Sequence, residues 1–291
     1  MRINGLIWVG TAYLLALTGG YFSTTFFLNK SILFQAFIAD VVATFIIYFF
    51  SVWKKNSSFY DPYWSIIPPF LALFWIQKNN IHLGLESILL LSAILFWSIR
   101  LTANWIKTWE GLHHEDWRYI DMRNSMGGWF QILGNLGGIH FFPTLIVFFC
   151  CMPFMYIGSS TPNIIILLIG ILISIIGVLL EIISDHQLHQ FRLNNSEKKG
   201  IIESGLWKYS RHPNYYGEIL FWWGLYVFGF SYQGFNYLIL APISMTLMFM
   251  FASIPWIENK ILRTRPEYKD YQKRVHILFP EITIFKRLIG K

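Results

Sequence analysis

Apolar residues run along this chain in long blocks broken by short polar connections. A membrane crossing needs roughly 20 mostly apolar residues. On that measure eight stretches are expected to be helical spans: 5–22, 31–53, 62–77, 86–107, 128–157, 163–186, 214–231 and 237–257. The third is short and carries Pro68 and Pro69. The fifth is overlong and holds Gly134, Gly137, Gly138, Pro143 and Pro153, so it reads as one kinked helix or as a re-entrant piece followed by a span. The count runs from seven to nine with eight favoured. The fold class is all-α, a polytopic membrane helix bundle.

Composition supports this reading. Hydrophobic residues make up 55% of the 291 positions and charged residues only 13%, against about 25% charged in a soluble domain. The net charge of +7 gathers in loops beside apolar blocks, which fits membrane anchoring and no nucleic-acid partner. No cleavable leader is expected. Lysine and arginine fill 187–213 (Arg192, Lys198, Lys199, Lys208, Arg211) and the tail after Ile257, whereas 158–162 and 232–236 hold none. The positive-inside rule therefore puts 54–61, 108–127, 187–213 and the C-terminus in the cytoplasm. Arg-Pro-Glu-Tyr at 265–268, with Tyr271, predicts a docked helix in the tail. Cys150 and Cys151 are adjacent in an apolar run and form no disulfide or zinc pattern.

Four polar clusters interrupt the apolar background. The densest is Arg211-His212-Pro213-Asn214-Tyr215-Tyr216-Gly217-Glu218. Pro213 suits the first turn of a helix, whose free N–H groups form an anion site. Asn214 and Glu218 lie four apart and share a face, fit to read a ribose, a nucleobase or a carboxamide. The alternative is a capped helix whose Glu218 balances the dipole. The second cluster is Glu181, Ser184, Asp185, His186, His189 and Arg192. Its carboxylates and His189 share a face at i, i+4 and i+8, but partners for a metal are missing, so no metal site is expected. In the third, Arg100 sits inside an apolar helix with Trp97 and Asn104 nearby, ahead of Gly111 to Tyr119. An intramembrane charge points to function, with snorkelling as the alternative. In the fourth, Asp61 before Pro62 is either an N-cap or an acid facing a cavity.

Gly205-Leu206-Trp207-Lys208-Tyr209-Ser210 leading into Arg211 through Glu218 resembles the C-terminal domain of the steroid 5α-reductase family, and more closely its bacterial-type DUF1295 branch. Ser184-Asp185 with Arg192, Trp97 to Leu101, Gly111 to Tyr119, and Pro266-Glu267-Tyr268 with Tyr271 also match, so the resemblance covers roughly 60–285. Residues 1–60 then form added N-terminal spans and 61–291 the family domain. The resemblance implies NADPH reduction of a carbon–carbon double bond in a lipophilic, steroid-like, polyprenoid or fatty substrate. Membrane lipid is the other expected partner, and no obligate protein partner is evident. Arg100, Asn104, Asp185, Arg192, Tyr209, Arg211, His212, Asn214 and Glu218 would surround the cofactor. Reductases of this kind polarise the substrate carbonyl with a Glu and a Tyr. Asp61 falls where the Glu is expected and Trp97 where the Tyr is expected, with Tyr60 or Tyr63 as a substitute. S-adenosylmethionine methyltransferases acting on isoprenylcysteine or phospholipids carry a similar Arg-His-Pro string and are the alternative. A transporter or lipid-binding protein is a third reading, which would spread its charges along a path.

Overall fold

The computed structural model describes residues 2–195 and 200–278. Lys198, Lys199 and the basic positions Lys286, Arg287 and Lys291 lie outside the described residues. The described residues are helical, in the order α1 (Arg2–Ser23), α2 (Ile32–Lys54), α3 (Tyr63–Lys78), α4 (Leu85–Thr108), α5 (Trp117–Ser125), α6 (Trp129–Tyr156), α7 (Ile164–Asn194), α8 (Pro213–Gln233), α9 (Tyr237–Thr264) and α10 (Tyr268–Arg274).

Six of these helices, α1, α2, α4, α6, α7 and α9, are long and apolar enough to cross a membrane. The protein is thus a multi-pass membrane helix bundle, but two of the eight expected stretches fall short. α3 has 16 residues, about 24 Å of rise against a hydrocarbon core of about 30 Å. α8 is long enough at 21 residues, but Asn214, Glu218 and its tyrosines and tryptophans dilute its apolarity. The overlong fifth stretch is one helix. Gly134–Phe141 opens into π geometry and Met152–Tyr156 tightens to 3-10 geometry without interrupting the element. α7 runs two turns past the expected 186, so Asp185, His186, His189 and Arg192 are all helical.

The chain forms two compact units. The first comprises 1–163 with 229–238. Its core holds Ile47, Phe59, Tyr63, Trp75, Leu90, Ile94, Trp97 and Phe154, all essentially inaccessible. Side-chain hydrogen bonds tie its helices: Tyr63 Oη donates to Asp40 Oδ1 at 2.7 Å, Ser51 Oγ meets His140 Nε2 at 2.9 Å, and Tyr60 Oη meets Thr144 Oγ1 at 2.9 Å. In an apolar medium such bonds hold helices together where the hydrophobic effect does not.

Among the described residues the second unit comprises 164–195, 200–228 and 239–278. α7 and α8 meet through glycines. A methyl group on Gly217 would lie 2.5 Å from the carbonyl oxygen of Gly177, and one on Gly177 would lie 2.5 Å from that of Gly217. The glycine of the Arg-His-Pro string is therefore a packing residue, and no side chain fits between these backbones. Gly217→Ala is expected to force the helices apart at a cost of about 1–3 kcal/mol. Thermal unfolding in detergent would show a clear drop, and an unshifted transition would contradict this packing.

Candidate functional site

In the second unit, α8 begins at Pro213 as expected. The chain before it is pinned by the segment after α9. Arg211 N donates to His276 O at 2.9 Å, His212 N to Ile277 O at 3.1 Å and Ser210 Oγ to Ile277 O at 3.2 Å. α10 is the docked tail helix, with Tyr268 and Tyr271 buried and the Tyr271 hydroxyl donating to Trp207 O. Burial pushes the phenols of Tyr268 and Tyr271 up, and the nearby Glu258 charge adds to this at both.

Glu258 in α9 organises this region. Arg211 Nε lies 2.8 Å and His212 Nε2 2.9 Å from its Oε1. Tyr268 Oη donates to Oε1 at 3.1 Å and Gln272 Nε2 to Oε2 at 2.8 Å. Arg211 Nη1 also donates to Gln272 O at 2.8 Å. Arg211, His212 and Glu258 are all buried. Arg211 and His212 of the string are thus engaged with a carboxylate that sequence reading passed over. Its signal was available: an acid following the apolar run 237–257, where an ionisable group asks for a partner.

The remaining residues of the second unit cluster beside the start of α8. Asn214 Nδ2 donates to Asp185 Oδ1 at 3.3 Å, both half-buried. Glu218 is buried and accepts from Trp222 Nε1 at 2.8 Å, one turn along its own helix. Arg192 is exposed on α7, near Asp185 and close enough to Arg265 for the two like charges to repel. In the sequence Arg265 stands out only as a basic tail residue and as the start of the Arg-Pro-Glu-Tyr string. Tyr209 is 42% exposed. Among the described residues no three His, Cys, Asp or Glu side chains are grouped to hold a metal ion.

In the first unit, Trp97 is fully buried on α4. Arg100 and Asn104 follow on the same helix, half-buried and exposed respectively. Asp61 is not an N-cap: α3 starts at Tyr63 behind Pro62, and no side chain caps it. The carboxylate of Asp61 instead accepts a hydrogen bond from the Tyr119 hydroxyl of α5. α5 is held there by its own cap, Asp116 Oδ1 accepting from Arg118 N at 2.8 Å, and by Asp116 N donating to Ser58 Oγ at 2.9 Å. Arg123 pairs with Glu115, which also accepts from Ser57 N at 2.7 Å. Burial, reinforced by Asp116, raises the Asp61 carboxyl from its ordinary 3.8 to about 6. Burial and the Asp61 charge push the Tyr119 phenol well up. Tyr63, the substitute phenol, points elsewhere and bonds Asp40. Tyr60, the other, bonds Thr144.

Residues 47–275 match the family described as a protein of unknown function (DUF1295), and the chain belongs to that family. The uncharacterized protein C594.04c of Schizosaccharomyces pombe is 26% identical over 297 residues, covering 92% of this chain and 85% of that one. No solved structure matches the chain.

Proposed function

We propose that this protein is an NADPH-dependent membrane reductase acting on a carbon–carbon double bond conjugated to a carbonyl in a lipophilic substrate. The observation that carries this reading is the Asp61–Tyr119 couple, a raised carboxyl hydrogen-bonded to a phenol. It supplies the acid–phenol pair that the steroid 5α-reductase resemblance requires and that Trp97 does not provide.

NADPH, when bound, supplies the hydride. Residues of the second unit suit such a molecule: the Arg192 and Arg265 guanidiniums suit phosphates, and the Asp185–Asn214 pair suits ribose hydroxyls or an amide. Arg211 and His212 hold the loop in place and are not contact residues in this reading. Asp61 and Tyr119 place a proton donor for the substrate oxygen, stabilising the negative charge that develops there as the β-carbon receives hydride. The residues assigned to NADPH are taken to face the cytoplasm, as the basic loops imply.

The methyltransferase reading gains from one observation. Glu258 engages the string's own Arg211 and His212, and S-adenosylmethionine carries no phosphates. The two readings separate on thermal stability in detergent. NADPH at 100 times its Kd is expected to stabilise by about 2.7 kcal/mol, with S-adenosylmethionine inert. Stabilisation by S-adenosylmethionine alone would sink the reductase. Asp185→Ala is expected to weaken the NADPH response, and an unchanged response would remove Asp185 from the site.

A further inference from the structure

Asp40 lies eight residues into α2, about 12 Å along the helix from its start. It is 1% exposed. Its Oδ1 accepts from Tyr63, but its Oδ2 has no hydrogen-bond partner. An unpaired polar atom buried among apolar helices is costly, and native proteins leave few of them.

The same residue lines a cavity of about 160 Å³ between α1, α2 and α3. The space exists because Ala16, Gly20, Ala36, Ala39 and Ala43 face it with small side chains. Gly20 sits so close that a methyl group there would lie 2.5 Å from Ala39 O. Other lining residues, Tyr21, Phe70 and Leu73, are 49%, 46% and 47% exposed, so the cavity opens on the outside of the unit, where acyl chains run. An apolar cavity of about 150 Å³ accepts a guest of benzene's size.

We propose that this cavity is a binding site for a lipid with a terminal hydroxyl, the hydroxyl bonding Asp40 Oδ2 and the chain leaving between α1 and α3. A hydroxyl fits because it both donates and accepts. It donates to an ionised Asp40 and accepts from a protonated one, whereas an ammonium suits only the first state and a ketone only the second. The site uses neither Asp61 nor Tyr119 and does not rest on reductase activity.

The test uses the full chain in lipid nanodiscs and a twelve-carbon alcohol carrying a photoreactive diazirine near the hydroxyl. Labelled peptides containing 16–21, 36–43 or 67–77 are expected. 1-Dodecanol should compete about tenfold better than tridecane, which neither donates nor accepts. Both competitors are saturated, so neither reports turnover, and this result stands apart from the fate of the reductase reading. Asp40→Leu should remove the preference for the alcohol. Equal competition by the alkane in the unaltered protein would overturn the proposal, as would an alcohol preference that survives Asp40→Leu. Should Asp40→Leu fail to fold, the competition in the unaltered protein decides alone.

Discussion

Glu258→Ala is expected to unfold the region around α10 and to destabilise the protein by about 3–5 kcal/mol, the range seen when one member of a buried ion pair is removed. The change leaves the Arg211 guanidinium buried without its counter-charge, and His212, Tyr268 and Gln272 lose the same acceptor. The backbone bonds from Arg211 and His212 to His276 and Ile277 then keep only the support of Ser210 Oγ on Ile277 O and of the Tyr271 hydroxyl on Trp207 O. Limited proteolysis between 265 and 278 should accelerate, and the thermal transition should fall. Glu258→Gln should be milder, because the amide oxygen still accepts from Gln272 or Tyr268. Replacing both partners, Arg211→Met with Glu258→Leu, should recover much of the loss, since apolar side chains of similar volume often substitute for a buried pair. A Glu258→Ala protein that melts like its parent would show that Arg211 is not held by this contact.

The spans were legible because a block of apolar residues has only one inexpensive structure in lipid, a helix with its backbone bonds satisfied internally. Their ends were less legible. α7 continues past 186 because nothing in Asp185 to Arg192 breaks a helix, and polar side chains mark the limit of the apolar run, not of the helix. The string at 211–218 is legible in the sequence, but the partner of its Arg211 and His212 is not. Arg211 and His212 look like free cations ahead of a helix start, yet their partner lies more than forty residues on. Gly217 offered no local sign of its role, which depends on Gly177 of another helix. The Asp61–Tyr119 couple spans 58 residues. It needed the capped turn at Asp116 to aim α5, and the string Gly111 to Tyr119 announced polarity without a direction. What a sequence conceals here is pairing between helices, since period and composition describe each helix alone.

Tyr119→Phe and Asp61→Asn are each expected to lower the rate of NADPH oxidation by lipophilic enones about 10²–10⁴-fold, the usual contribution of a positioned acid–base group. Neither change should alter stabilisation by NADPH, because neither residue is assigned to the cofactor. The two losses should not add, since the phenol and the carboxyl act on one proton. The pH profile carries the sign. The Asp61 carboxyl is raised to about 6, so the folded protein binds this proton more tightly than the unfolded chain. Its stabilising contribution is present below the ordinary value near 3.8 and is lost as pH rises through about 6. The protonated carboxyl is the proton donor, so turnover should decline over the same rise, and Asp61→Asn should flatten that limb. The neighbours that set the value are Asp116, which raises it, and Arg118, Tyr119 and Ser58, which lower it. Asp116→Asn should therefore move the limb to lower pH while leaving a measurable rate. A Tyr119→Phe enzyme with full turnover would detach the phenol from the chemistry. It would return the choice between hydride and methyl transfer to the cofactor measurement alone.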